Sequence, residues 1–117
     1  MGKDKWWKQI QPLRIPTGWN VAWNRLEDVE PETLPKDSYG WIDFSQDILL
    51  LSRTIKRKKR EEKTEIDLGW YPDCDPEGSF RLVVIKNGEW EHPFLEFSSR
   101  SKAEIIEKME EWLFREL

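Results

Sequence analysis

The chain has 117 residues, the size of one domain with a single modest core. Hydrophobic residues make up 38% and charged residues 36%, too apolar for a disordered chain and typical of a compact core under a charged surface. The net charge of −4 argues against a general nucleic-acid binder, whose affinity comes largely from phosphate neutralisation.

The N-terminal segment is polar except for two adjacent tryptophans, Trp6 and Trp7. We predict a short arm over residues 1–12 that docks through these two indoles. Because exposed indoles on a soluble protein usually mark a contact site, Trp6 and Trp7 are candidates for binding a partner.

A strand and an acidic loop follow this arm. Trp19, Val21 and Trp23 alternate with other residues, which predicts a strand that carries all three on one face. The next segment is interrupted by Pro31 and Pro35, which exclude regular structure there. It contains four carboxylates that are candidates for binding a partner: Glu27, Asp28, Glu30 and Glu32.

The middle of the chain predicts a β-hairpin. The run 48–55 fits either a buried strand or a helix, and residues 45–62 are ambiguous in the same way. We favour a strand, because the alternating segment 64–71 is suited to be its partner. The basic tract between them would then be the solvated tip of the hairpin.

The strongest strand signal is residues 80–85, whose unbroken apolar run predicts a central position in the sheet. Asn87 and Gly88 both tolerate positive φ and predict a type I′ hairpin turn. The return strand would run from residue 89 to about residue 97, at an edge or with a bulge because of Pro93.

A helix over residues 101–116 completes the chain. Ser101 and Glu104 have the spacing of a capping box, and the apolar residues after them fall on one helical face. We therefore predict one α+β domain over residues 1–117. It would contain an antiparallel sheet of four to five strands, arranged as a meander of hairpins, with the C-terminal helix packed on one face.

No motif in the sequence predicts an enzyme, a metal site or a cofactor. The segment 73–78 resembles the start of a calcium-binding loop, but Val84 stands where a bidentate glutamate is needed, so we expect a polar turn. Cys74 lies between two aspartates, which suppress its thiolate, and His92 has no evident third group to orient it. Asp43, Asp47 and Asp67 lie nearest the predicted strands without forming a catalytic motif.

The sequence also predicts a cytoplasmic protein that does not contact a membrane. The single cysteine is typical of a reducing compartment. The N-terminus has no apolar stretch of signal-peptide length, and the longest apolar run, residues 48–51, is too short for a membrane span.

The basic tract supports two interpretations. Its five cations could bind phosphates while nearby tryptophans stack on bases, which would make the chain a single-stranded nucleic-acid binder. We favour a solvated tip whose charge is partly neutralised by neighbouring glutamates, and keep nucleic-acid binding as the alternative. The tract consists of Lys56, Arg57, Lys58, Lys59 and Arg60.

Eight tryptophans are spread along the chain. Trp23, Trp70 and Trp112 have periodic apolar neighbours, which predicts that they lie in the core. Trp41 and Trp90 stand in polar or turn-rich segments, which predicts that they are exposed and available for a partner, as Trp6 and Trp7 are.

The order of four features resembles that of small bacterial α+β proteins that inhibit a partner, including immunity proteins of polymorphic toxin systems. These features are the strand 19–24, the segment 67–72, the Asn87–Gly88 turn and the helix from Ser101. The resemblance implies a non-enzymatic protein-binding module. Acidic residues between 27 and 47 and basic ones between 53 and 60 would steer a charged partner towards it.

Overall fold

Five strands follow one another along the chain and pair in that same order, which makes the sheet an antiparallel meander. We describe it from a computed structural model that covers residues 10–115. The elements are β1 (Asn20–Asn24), β2 (Leu49–Arg57), β3 (Arg60–Tyr71), β4 (Ser79–Lys86), β5 (Leu95–Ser99) and α1 (Lys102–Leu113), with short 3₁₀ helices at Pro31–Thr33 and Tyr39–Asp43. The predicted α+β class, with a helix after an antiparallel sheet, is confirmed.

The ambiguous segment after residue 48 is a strand. Leu49 and Leu51 of β2 lie opposite Leu68 and Ile66 of β3, and all four are completely buried. Cross-strand apolar pairs of this kind stabilise a sheet, and no helix would place these residues together. The predicted hairpin, with the basic tract at its tip, is therefore confirmed.

Helix α1 covers one face of this sheet and closes the core. Its inward side consists of Ile105, Met109, Trp112 and Leu113, all buried among the leucines and isoleucines of β2, β3 and β4. The helix ends at Leu113, earlier than the predicted residue 116. The predicted core positions of Trp70 and Trp112 are confirmed.

The start of α1 is capped by a relay of side chains. Ser101 Oγ accepts a hydrogen bond from the Glu104 backbone N–H at 3.2 Å, as the capping box predicts. The Glu104 carboxylate does not return to the Ser101 backbone, however, because it accepts from the Ser99 hydroxyl at 2.5 Å. Ser99 Oγ in turn accepts from the Ser101 backbone N–H at 3.0 Å. The Ser101 N–H is therefore satisfied by Ser99 and not by Glu104.

An aromatic cluster closes one end of the core, and it contains Trp41, which was predicted to be exposed. That prediction is wrong: Trp41 is only 4% exposed, and its ring packs against Phe44 and Trp70 at centroid distances of 4.9 and 5.7 Å. Its indole N–H donates to the Pro35 carbonyl at 2.8 Å. The polar neighbours of Trp41 misled the prediction, because the 3₁₀ helix turns this one side chain inward while Tyr39 stays exposed.

A bulge in β1 sends Trp23 to the opposite face of the sheet from Val21. Val21 pairs with Leu51, but Trp23 pairs with Leu50, so the register shifts between them. Because paired residues project to the same face, the predicted shared face is wrong for Trp23. The prediction that Trp23 belongs to the main core is wrong for the same reason, and the ring is half-buried on the other side.

The turn after β4 is of the predicted type, but the strand after it begins later than predicted. Asn87 and Gly88 have φ values of 52° and 74°, as a type I′ turn requires. The chain then makes further turns through Trp90 and Pro93, and β5 begins only at Leu95. Pro93 therefore precedes the strand instead of interrupting it, as expected for a residue that cannot donate to the sheet.

Gly69 of β3 is where the chain before β2 lies against the face of the sheet. A Cβ at this position would collide with the backbone carbonyl of Gln46 and lie 2.8 Å from the Tyr71 ring. On either side of this contact, the Trp70 N–H donates to Ser45 at 2.8 Å and the Ile48 N–H donates to Leu68 at 3.0 Å. The missing side chain lets the Gln46 backbone lie directly on the sheet.

We predict that Gly69→Ala lowers the free energy of unfolding by about 2–3 kcal/mol, because the obstacle is backbone, which cannot rotate away. Urea denaturation measures the change. The control is Ser98→Ala: Ser98 lies on β5, pairs with Arg81 of β4 and is exposed. This substitution should change the free energy of unfolding by less than about 0.5 kcal/mol. Equal stabilities for the two variants would contradict this account.

Candidate functional site

One row of paired residues crosses all five strands on the face opposite α1. It consists of Trp23, Leu50, Asp67, Val83 and Glu96, one residue from each strand. We call this side of the sheet the open face. An ionisable residue in the centre of such a row is unusual, because central strands normally carry apolar side chains.

The open face contains a cleft of about 330 Å³. Two tryptophans, a tyrosine and a proline line it together with apolar and charged residues of the sheet. The lining residues are Trp23, Asp47, Leu50, Asp67, Tyr71, Arg81, Val83, Ile85, Trp90 and Pro93. Apolar walls with a few convergent polar groups are typical of binding sites.

Two aspartates meet in this cleft. Asp67 projects from β3, and Asp47 lies in the segment whose backbone rests against β3 at Gly69. Burial, reinforced by the negative charge of Asp47, raises the pKa of Asp67 from 3.8 to about 6. Burial and the Asp67 charge also raise the pKa of Tyr71.

Among the described residues, Arg81 is the one cation that lines the cleft. It lies in the cleft, where it lowers the pKa of Asp67 and thus favours its ionised form. Its guanidinium also forms a hydrogen-bonded ion pair with Glu96 of β5. Because Arg81 is shared between these carboxylates, it does not neutralise the acidic face.

The Trp23 indole N–H is buried and has no acceptor among the described residues. A buried donor left without a partner costs about 1–3 kcal/mol. Such a donor is uncommon in a folded protein, and this one belongs to a residue of the cleft wall.

The predicted partner-binding residues do not form one surface. The acidic loop lies on the side that carries α1, where Asp28 forms an ion pair with Lys102 at 3.0 Å. Trp90 is 48% exposed and lines the cleft on the opposite side. Glu30 immediately precedes the first 3₁₀ helix, and Glu32 lies within it. Glu27 pairs with Ile10 through an isolated bridge, and Trp6 and Trp7 lie outside the described residues.

The buried side chain of Lys102 gives Asp28, one residue of the acidic loop, a structural role. The Lys102 side chain is only 6% exposed, and its ammonium donates to Gln11 Oε1 at 2.6 Å as well as to Asp28. A buried cation must keep its acceptors, so Asp28 is committed to the start of α1.

The basic tract is exposed at the tip of the β2–β3 hairpin, where Lys58 and Lys59 form the turn. Lys56 lies 3.9 Å from Glu61, and Arg57 lies 3.9 Å from Glu62. The expected partial neutralisation by these two glutamates is therefore present. Glu65, further along β3, lies beside Lys63 at 3.8 Å and does not contact the tract.

The segment 73–78 forms the predicted polar turn. The Gly78 N–H donates to the Asp75 carbonyl at 2.9 Å, and the Trp70 indole donates to the same oxygen at 2.7 Å. Arg100 donates to the carbonyls of Pro76 and Gly78. The loop oxygens thus bind protein donors, and residues 10–115 contain no group of three or more histidine, cysteine or acidic residues placed to hold a metal ion.

Comparisons with protein-family models, with curated proteins and with solved structures find no match to this chain. No helix within residues 10–115 is long and apolar enough to cross a membrane. The geometry of the described residues is therefore the basis for any functional proposal.

Sequence reasoning missed most of the cleft. Asp47 and Asp67 were noted as carboxylates near strands, but Tyr71 and Arg81 were not considered. The signal that could have found them is the ionisable residue inside each of two strongly apolar strands, at Asp67 and Arg81. Their meeting with Trp23 depends on the β1 bulge, which has no clear sequence signature.

We predict that Asp67→Asn raises the free energy of unfolding by about 1 kcal/mol at pH 8, with little effect at pH 4. The raised pKa means that the folded protein holds the Asp67 proton more strongly than the unfolded chain does. The penalty for ionising Asp67 is therefore absent below about pH 4 and complete above its folded pKa, near 6. Urea denaturation at both pH values measures the difference, and an NMR titration of the Asp67 carboxyl locates the midpoint. A midpoint near 4 would contradict the prediction.

We predict that Asp28→Ala lowers the free energy of unfolding by about 1–2 kcal/mol, because it leaves the buried Lys102 ammonium with one fewer acceptor. Glu32→Ala, an exposed change on the same loop, should cost less than about 0.5 kcal/mol. The double variant Asp28→Ala, Lys102→Met should recover most of the stability that Asp28→Ala alone loses, as measured by thermal unfolding. Failure of this rescue would show that the pair is not the cause.

Proposed function

We propose that the chain is a non-enzymatic protein-binding module whose partner docks on the open face. The observation that carries the proposal is the row that crosses all five strands and opens into the aromatic cleft. A continuous sheet face with a concave centre offers a partner both area and a place for an anchor side chain.

The residue types of the cleft support a protein partner. Tryptophan, tyrosine and arginine are the residues most enriched among interface hot spots, and the cleft contains Trp23, Trp90, Tyr71 and Arg81.

The charge of the open face supports a cationic partner. Within residues 10–115, the cleft and the row that crosses it contain three carboxylates, Asp47, Asp67 and Glu96, but one cation, Arg81. A basic side chain of the partner that enters the cleft would find the Asp67 carboxylate already partly desolvated, where electrostatic attraction is stronger than in water. The proposed partner is thus cationic, as expected from the sequence, but it contacts the open face instead of the acidic loop.

An inhibitor of a basic toxin, as the resemblance to immunity proteins implies, is the particular form of this function that we propose. Such an inhibitor must match a positively charged site, and an acidic face with aromatic anchors meets that requirement. The layout resemblance and the charge of the open face are the two supports for this form.

The test is affinity capture from a lysate of the source organism with three baits: the natural chain, an open-face variant and a matched control. The open-face variant is Trp90→Ala with Asp47→Asn. The control is Tyr39→Ala with Asp37→Asn, which removes the same classes of side chain from exposed positions away from the cleft.

We expect the natural chain and the control to retain one protein in stoichiometric amount, and the open-face variant to bind it about 30-fold or more weakly. Calorimetry with the purified partner measures the dissociation constants, and circular dichroism checks that each bait is folded. Equal binding by both variants, or no specific protein on any bait, would refute the proposal.

A further inference from the structure

The tip of the β2–β3 hairpin extends beyond the rest of the sheet. Pairing of β1 with β2 ends at Ser52, and pairing of β4 with β3 begins at Thr64. Residues 53–63 between these points have only each other as strand partners, and we call them the β-arm; at its base, the Lys63 backbone is also hydrogen-bonded to Asn87 in the turn after β4. At about 3.4 Å per residue, the β-arm extends roughly 15 Å past its neighbours.

The charge of the β-arm is concentrated at its end. All five residues of the basic tract, 56–60, are exposed. Of the two carboxylates in the β-arm, Glu62 is already held by Lys86 at 3.1 Å, from outside the β-arm. Glu62 is thus shared between Lys86 and Arg57, so it neutralises the tract only in part.

This charge is retained against local stability. Arg57 and Arg60 are a directly opposed pair, and like charges in such a pair are destabilising. Lys58 has a φ of 58°, a conformation that glycine or asparagine adopts more readily than lysine. A tip selected only for stability would place neutral turn residues here, so the cations point to a polyanionic partner.

The shape of the β-arm favours a duplex over a single strand. The major groove of B-form DNA admits a two-stranded β-ribbon, whereas the major groove of an RNA helix is too narrow and deep. A single strand is normally bound by stacking its bases on aromatic side chains, and residues 53–63 contain none. The β-arm therefore has no aromatic side chain on which the bases of a single strand could stack.

We propose that the β-arm enters the major groove of double-stranded DNA and contacts phosphates on both sides of the groove without reading its sequence. Cross-strand register places Arg57 and Arg60 on one face of the ribbon and Lys56 on the other, so cations are directed at both walls. The acidic remainder of the surface restricts the contact to the β-arm. This site is separate from the open face and does not depend on the protein-binding proposal.

The test measures fluorescence anisotropy of a labelled 20-base-pair duplex of arbitrary sequence, with the full chain, at 50 and 200 mM salt. The β-arm variant is Lys56→Gln, Lys58→Asn and Lys59→Gln; asparagine suits the positive φ at position 58, so the hairpin should persist. The control removes three cations elsewhere through Arg25→Gln, Lys36→Gln and Arg115→Gln, all exposed. A third variant replaces the same three lysines, Lys56, Lys58 and Lys59, by arginine and keeps their charge.

We expect the natural chain, the control and the arginine variant to bind the duplex at 50 mM salt. For three to five phosphate contacts, affinity should fall by roughly 40- to 500-fold between the two salt concentrations. The β-arm variant should bind at least about tenfold more weakly at 50 mM salt. Its salt dependence should be smaller by about one unit of slope for each lysine–phosphate pair that the substitutions remove.

Four results would overturn the proposal. They are no duplex binding at 50 mM salt, equal affinities for the β-arm variant and the control, tighter binding to the single strand than to the duplex, and binding to vesicles of anionic lipid without binding to the duplex. The last two would assign the β-arm to a single strand or to a membrane surface instead. Circular dichroism of each variant confirms that weaker binding does not come from unfolding.

Discussion

The pairing of β2 with β3 decides which side chains face α1 and which form the open face. Because side chains alternate along a strand, a slip of one residue would exchange the two sets. The observed register aligns Leu49 and Leu51 with Leu68 and Ile66 under the helix, where burial of large apolar side chains is most favourable. Asp67 is thereby forced to the other side. The acidic cleft is thus a direct consequence of how the core is filled.

The sequence was sufficient for those parts of the fold that depend on local chemistry. The Asn87–Gly88 turn follows from positive φ, and the helix start follows from Ser101 and its donor. What could not be predicted depends on tertiary contacts. The β1 bulge that moves Trp23 follows from pairing with β2, and the burial of Trp41 follows from a ring cluster assembled from distant segments. The cleft depends on tertiary contacts of this kind, so Trp90 and the two aspartates could be noticed in advance but their meeting in one site could not.

Glycine at position 69 connects the fold to the site. Only where β3 lacks a side chain can the Gln46 backbone lie against the sheet, and this contact brings Asp47 into the same cleft as Asp67. The same segment carries Phe44 into the aromatic cluster, where its ring meets Trp70 at a centroid distance of 4.9 Å. One close backbone contact therefore positions a carboxylate on one face of the sheet and a core ring on the other.

The two proposed surfaces have opposite charge and share a physical property: each keeps groups that destabilise the isolated chain. On the open face, Asp67 is ionised at neutral pH at the expense of its desolvation. On the β-arm, Arg57 and Arg60 repel one another across the ladder. The completely buried core on the α1 side offsets these costs, so the fold tolerates them. Unfavourable groups of this kind lose their penalty when a partner of opposite charge binds, and both surfaces are therefore better suited to a complex than to the free protein.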